Sequence, residues 1–384
     1  MTRWRWRVGL ALTILRIGGP VASAAAQPVA TGTVRGVVQA APTNVALPYA
    51  VVSIPALNLE RFSGAEGQFL LPTVPAGTHE LVVRRIGFVP QRQQIVVVAN
   101  GALALSISLR QVPVRLTGMT VRPTNRCTSP GLPDSLQFPE VAQLVGLLRE
   151  NAATYRTLVQ RFPFVYAQVR ALGVLEDGTM AVRTVDTLAV PAQPTVRYEP
   201  GRVVQNTRGK VVRETFMAIP SIIDLVDPAF VNNHCFTYAG ASTQGNETWF
   251  RLDVRASERL RTPDVHGAFF LDSATAQLRR MELELSRPDR LPSTLRSVRS
   301  VIAHSTFVEI APGLSILQSV CAINWQKSRQ GARVSHGAEL QHTLAWEFTT
   351  APPDVERVTI RTAPRWRPAT QLPGTALPCA GAEP

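Results

Sequence analysis

Apolar and polar residues alternate with a period of two over most of this chain, and the period becomes helical only once. In 103–109, Leu103, Leu105, Ile107 and Leu109 alternate with small or polar residues, the pattern of a half-buried strand. Short β-prone runs precede it at 34–38, 50–54, 67–71, 80–86 and 95–98, with turn signals at Pro75-Ala76-Gly77, Gly87 and Gly101. About seven short strands in about 80 residues predict a β-sandwich over 31–112. Residues 113–135 carry Pro113, Pro123, Pro130 and Pro133 and read as a linker, with room for a short strand at 116–121. Then Val141, Leu144, Val145, Leu148, Ala152, Tyr155, Leu158, Val159 and Phe162 fall on one face of a helix. Pro139 suits its first turn and Pro163 stops it.

Beyond the helix the two-residue period returns. Phe250, Leu252 and Val254 alternate with Trp249, Arg251, Asp253 and Arg255, and Met281, Leu283 and Leu285 alternate with Arg280, Glu282 and Glu284. These are antiparallel strands with one wet face. Asp177-Gly178 and Pro312-Gly313 suit hairpin turns, and 221–230 suits a short helix interrupted at Pro228. The predicted fold class is mainly β. A seven-stranded sandwich is followed, over 136–350, by an α+β domain with one main helix and a long antiparallel sheet or half-barrel. Residues 351–384 form a Pro/Ala-rich tail.

Composition narrows the setting. The chain has 384 residues and a formal charge of +13, which invites a nucleic-acid reading. Four of those charges, Arg3, Arg5, Arg7 and Arg16, lie in the first 26 residues, and the rest are scattered without a basic run. No nucleic-acid footprint results. Arg3, Arg5 and Arg7, a mostly apolar 8–17 and Ala22-Ser23-Ala24-Ala25-Ala26 read as a signal peptide over 1–26. The apolar stretch is too short for a membrane helix, which needs about 20 residues, and no transmembrane segment is expected after leader removal. The mature protein is expected to be periplasmic or secreted, with peripheral attachment to the outer membrane as a further option. In an oxidising compartment, Cys127, Cys235, Cys321 and Cys379 are expected to form disulfides. Three connectivities exist; Cys127–Cys235 with Cys321–Cys379 is preferred, and buried free thiols are the alternative.

One stretch carries a family pattern. It comprises Gly36-Val37-Val38, Leu47-Pro48, the run Ser63-Gly64-Ala65-Glu66-Gly67-Gln68-Phe69-Leu70-Leu71-Pro72-Thr73-Val74-Pro75-Ala76-Gly77, and Arg84-Arg85-Ile86-Gly87-Phe88. It resembles the carboxypeptidase regulatory-like domain, a transthyretin-like sandwich. The family usually has an aspartate near Gly64 and a tyrosine where His79 stands. The resemblance implies an accessory module with a protein-contact or carbohydrate-binding-like surface, not catalysis. The later strands resemble the uncharacterised region often joined to this sandwich in exported bacterial proteins, and their order is similar to the half-barrel of periplasmic lipoprotein carriers. Receptors with this module continue into a plug and a large barrel; a 22-stranded barrel needs more than about 220 strand residues, so a complete receptor is not expected.

Candidate chemistry is thin. His336-Gly337-Ala338-Glu339 with His342 suggests a zinc pair. On a strand, however, residues three apart face opposite sides, and His336 and His342 would sit about 20 Å apart. His79, His234, His266 and His304 lack ligand spacing, and Asp264 with His266 has no supporting partner. Gly240-Ala241-Ser242-Thr243-Gln244-Gly245 misses a nucleophile elbow by one residue. Asp224, Asp227, Asp253 and Asp272 lack calcium-loop spacing. Trp249, Trp325, Trp346 and Trp366 are candidates for a glycan-stacking platform but suit core or rim positions better. No catalytic, cofactor or metal residue is assigned. The leading expectation is a non-catalytic envelope protein whose sandwich binds a protein or glycan. The alternatives are a periplasmic carrier of a lipid or other apolar ligand, and a hydrolase with an unrecognised site.

Overall fold

A computed structural model of the protein describes residues 30–112, 126–176, 179–193, 197–208, 213–327 and 333–349. The expected leader, the strand at 116–121, the Asp177-Gly178 turn and the tail lie outside the described residues. Residues 30–112 form eight strands: β1 (Thr31–Ala41), β2 (Val45–Ala46), β3 (Val51–Ile54), β4 (Leu59–Phe62), β5 (Gln68–Pro75), β6 (Gly77–Arg84), β7 (Gln91–Val97) and β8 (Ala102–Arg110). In the first sheet β1 pairs antiparallel with β2 and β5 and parallel with β8. The second sheet runs β4-β3-β6-β7. Alternate residues of both sheets, among them Val34, Val38, Phe69, Leu81, Ile95 and Ile107, meet in a closed apolar core. At Gly67 the backbone turns with φ +74, and a Cβ there would lie 2.3 Å from the Val38 carbonyl. Only glycine meets both demands.

The second part is built on α1 (Pro139–Arg161) and begins with β9 (Phe164–Glu176), β10 (Thr179–Pro191), β11 (Val204–Arg208) and β12 (Arg213–Met217). After α2 (Pro228–Asn232) come β13 (His234–Gln244), β14 (Glu247–Ala256), β15 (Val265–Asp272), β16 (Leu278–Leu285), β17 (Val298–Ala311), β18 (Leu314–Lys327) and β19 (Arg333–Phe348). Nine of these strands form one sheet in the order β10-β9-β19-β18-β17-β16-β15-β14-β13. All its pairings are antiparallel. Strands β13 to β19 form a meander, and β19 then pairs back with β9, which precedes it by about 170 residues in the chain. On β14, Phe250, Leu252 and Val254 are buried while Arg251 is exposed, so the sequence alternation sets which face turns inward.

Helix α1 lies on that inward face. Leu144, Leu148 and Tyr155 join Leu252, Phe269 and Leu283 in one core that side chains fill from both sides. Pro139 starts the helix, and the Phe162 N–H closes its last turn on the Leu158 carbonyl. The short helix expected at 221–230 divides into a 3₁₀ turn at Ile222–Val226 and α2, because Asp227 caps α2 through the Ala229 N–H. Helix α1 also has a second buried flank, including Asn151, Thr154 and Thr157. On that flank Thr157 meets Glu60 and Arg84 of the sandwich, while Asn151 meets the 276–278 backbone.

Candidate functional site

Four consecutive sandwich residues, Arg84-Arg85-Ile86-Gly87, all take part in the contact with the second part. The Arg84 guanidinium donates to Glu150 Oε1 at 2.8 Å and to the Thr157 hydroxyl at 3.2 Å, and lies 3.7 Å from Glu60. The Thr157 hydroxyl in turn donates to Glu60 Oε2 at 3.0 Å. Two carboxylates thus share one half-buried guanidinium between β4, β6 and α1. The Arg85 guanidinium lies against Gly313 in the β17–β18 hairpin. Burial pushes its pKa down to about 10, and nearby Glu309 opposes that shift. Ile86 enters the large core with Tyr49. Gly87, at φ +80, sits where a Cβ would be 3.3 Å from the Thr275 carbonyl. Phe62 stacks on Phe162 with ring centroids 6.2 Å apart. From α1, Asn151 accepts from the Leu278 N–H and donates to the Ala276 carbonyl of the facing loop, both at 2.9 Å. The sandwich is therefore docked, with its second sheet covered around Val51, Ser53 and Val82 while β7 keeps Arg92 and Val96 exposed.

Its first sheet stays open. Val37 and Leu70 are 41% and 54% exposed on neighbouring strands, beside Arg35, Gln68, Pro72 and Ala104. No aromatic side chain lies among these strand neighbours.

A second polar constellation joins three distant segments. The Tyr198 hydroxyl donates to Asp264 Oδ1 at 2.5 Å, and the Gly201 N–H donates to Oδ2 at 2.6 Å. His234 Nε2 lies 3.5 Å from the same Oδ1, its Nδ1 lies 2.8 Å from the Phe230 carbonyl, and its ring stacks on Phe230 at 4.3 Å. Burial first, then Asp264 and Asp224, push the Tyr198 phenol far up. His234 and Asp264 are wholly inaccessible. Ser286 Oγ accepts from the Asp264 N–H and is not aligned on an imidazole. This network pins the 197–201 loop to the sheet and presents no reacting atom to solvent. Asp264 thus pairs with Tyr198 and His234, while His266 faces Glu284 at 3.5 Å.

The remaining candidates do not converge. His79 contacts the Pro75 carbonyl at 2.7 Å. Burial lowers the pKa of His304 and His342. Glu339 accepts two bonds from the Arg170 guanidinium. His336 is a strand position whose side chain lies outside the described residues. Ser242 sits in a strand-to-strand hairpin opposite Trp249, not in a strand-to-helix elbow. Asp224 binds the Ser221 N–H and hydroxyl, Asp227 caps α2, Asp253 pairs with Arg251, and Asp272 holds the 273–275 turn through the Ala274 and Thr275 N–H groups. Among the described residues no group of three His, Cys, Asp or Glu side chains is placed to hold a metal ion. Trp249 donates to Glu247 and carries Arg280 over its ring at 5.8 Å; Trp346 packs on the large core, and Trp325 joins a small cluster with Cys321 and Leu340. Trp366 lies outside the described residues. Cys127 and Cys235 are joined by a disulfide with Cα atoms 5.5 Å apart. Cys321 is buried, and Cys379 lies outside the described residues. No helix among the described residues is long and apolar enough to cross a membrane.

No curated protein matches the chain. Among solved structures the chain is similar to a DUF1329 family protein from Desulfovibrio piger, with TM-score 0.31 and 10% identity over 54% of this chain and 94% of that one. It is also similar to a LolA superfamily protein from Nitrosomonas europaea, with TM-score 0.29 and 8% identity over 54% of this chain and 94% of that one. A domain assigned to outer membrane lipoprotein sorting from Vibrio parahaemolyticus gives TM-score 0.30 and 10% identity over 53% and 92%. Residues 33–110 match the family described as the carboxypeptidase regulatory-like domain, and the sandwich that opens this chain is such a domain.

Proposed function

We propose that this chain is a non-catalytic binding protein of the cell envelope, periplasmic or secreted, whose docked sandwich meets a protein partner through its open first sheet. The observation that carries the reading is the division of the sandwich's two faces. One is met by α1 and the β17–β18 hairpin at Arg84 and Arg85, which bury Val51 and Val82 and leave Val96 of β7 exposed. The other leaves Val37 and Leu70 exposed on a rigid, aromatic-free surface. An aliphatic face of this kind suits a protein contact better than a sugar, which stacks on aromatic rings. The tryptophans do not supply that platform, since Trp249 is held by Glu247 and Arg280. The filled core beneath α1 favours an interaction module over an apolar carrier. The sealed Tyr198–Asp264–His234 network favours binding over hydrolysis. The leader-like N-terminus and the Cys127–Cys235 disulfide support an exported setting.

A photo-crosslinking amino acid placed at Leu70 or Val37, in cells of the source organism, tests the reading. One discrete envelope protein should be captured, and none when the crosslinker stands at Ser106, paired with Val37 on β8, in a control carrying Val37→Asp and Leu70→Asp. Native mass spectrometry of protein taken from the envelope completes the test. A stoichiometric lipid bound to the chain, or a glycan and no protein, would overturn the proposal.

A further inference from the structure

At the end of the large sheet where β13 begins and β14 stops, an apolar projection adjoins a cluster of arginines. The projection is 130–139, Pro-Gly-Leu-Pro-Asp-Ser-Leu-Gln-Phe-Pro. Leu136 is 92% exposed, Leu132 57% and Phe138 47%. Three large apolar side chains stand in water within seven residues, although the segment is fixed. The Cys127–Cys235 disulfide anchors it, the Gly131 N–H donates to the His234 carbonyl at 3.0 Å, and Asp134 accepts from the Leu136 and Phe138 N–H groups, both at 2.8 Å. Scattered exposed apolar residues need no explanation, but a rigid cluster does.

The neighbouring loops are tied to this segment. The Glu258 N–H donates to the Cys127 carbonyl at 2.9 Å, Arg287 reaches the Ser257 carbonyl, and Arg290 reaches the Arg261 carbonyl at 2.8 Å. Arg126, Arg259, Arg261, Arg290, Arg296 and Arg299 are all exposed in 126–138, 257–264 and 286–299. Against these six stand three exposed carboxylates, Asp134, Glu258 and Asp289. Asp134 is occupied by its own turn, and Glu258 and Asp289 stand only at 3.9 and 4.0 Å from Arg287 and Arg290.

We infer that this corner docks on an anionic lipid surface, Leu132, Leu136 and Phe138 entering the interface while the flanking arginines meet headgroup phosphates. Apolar insertion and basic attraction are each weak alone and together give stable peripheral attachment. The reading lies beyond the role of the sandwich and does not depend on which partner that module meets.

The test is co-sedimentation of the full chain with vesicles of phosphatidylcholine alone or mixed with phosphatidylglycerol. The chain should partition on the mixed vesicles at least ~10-fold better, and rising salt should erase the preference. The variant Leu132→Ser/Leu136→Ser/Phe138→Ser should lose ~10-fold or more on the mixed vesicles, and Arg126→Glu/Arg261→Glu should lose the preference for them. Leu136→Ser alone, at the most exposed position, should weaken binding and keep the wild-type melting temperature. Equal, negligible partitioning of the wild type on both vesicles, or wild-type binding by the serine variant, would sink the inference. Retention on polyglutamate without retention on vesicles would also overturn it, in favour of an acidic protein.

Discussion

The Arg84 guanidinium of the sandwich is a shared donor for Glu150 of α1, at 2.8 Å, and for Thr157 about two helical turns further on. Removing it leaves Glu60 and Glu150 half-buried beside each other without a cation. Arg84→Ala should therefore cost about 2 kcal/mol, less than a fully buried pair because water reaches part of the cluster. Calorimetry of the wild type should show one transition for both parts, and the variant should separate them into two.

Gly87 tests the same contact from the backbone. Alanine there must accept φ +80 and a Cβ 3.3 Å from the Thr275 carbonyl. Gly87→Ala should cost about 1–2 kcal/mol and raise the rate of proteolytic cleavage between the sandwich and α1. Chemical denaturation with limited proteolysis measures both.

The Cys127–Cys235 disulfide closes a loop of 108 residues. Chain-entropy reasoning gives about 4–5 kcal/mol for a loop of that size. The Cys127→Ser/Cys235→Ser variant should show a denaturation midpoint lowered accordingly, and reductant should move the wild type in the same direction.

Tyr198→Phe removes the hydroxyl that donates to Asp264 Oδ1 and leaves that buried oxygen with the Val265 N–H at 2.7 Å and His234 Nε2 at 3.5 Å. A loss of about 1–3 kcal/mol is expected in the thermal or denaturant midpoint.

Acid should loosen the sheet. Burial, outweighing Glu282 and aided by Arg280, lowers the pKa of His304, and burial lowers that of His342. The unfolded chain titrates these groups near pH 6.5 and so binds more protons there than the folded chain. Stability is intact above about pH 6.5 and falls as pH drops toward the folded values. His304→Gln/His342→Gln should flatten the melting temperature between neutral pH and pH ~5.

The alternation at 250–254 and 281–285 is visible in the sequence because each strand has one wet face, so period and burial agree. The first flank of α1 is visible for the same reason. Its second flank is not. Asn151, Thr154 and Thr157 are buried yet polar, because they meet Arg84, Glu60 and the 276–278 backbone. Local pattern cannot announce a hydrogen-bonded contact between residues about 70 to 130 positions apart. Strand β4, Leu-Glu-Arg-Phe, has no alternation, and only its pairing with β3 defines it. Tyr198, His234 and Asp264 come from three segments, and only the pairing of β13, β14 and β15 brings the two strand starts together.

Between its ends, helix α1 is exposed at Gly146, Arg156 and Gln160, with Pro139 and Arg161 exposed at its two termini. It behaves as mortar between two masonry courses more than as a facing. Cutting the chain near residue 112 would bare the Thr157 and Phe162 side chains that meet Arg84 and Phe62, so each fragment would carry one raw edge. Grafting the sandwich onto another scaffold would carry away half of a joint.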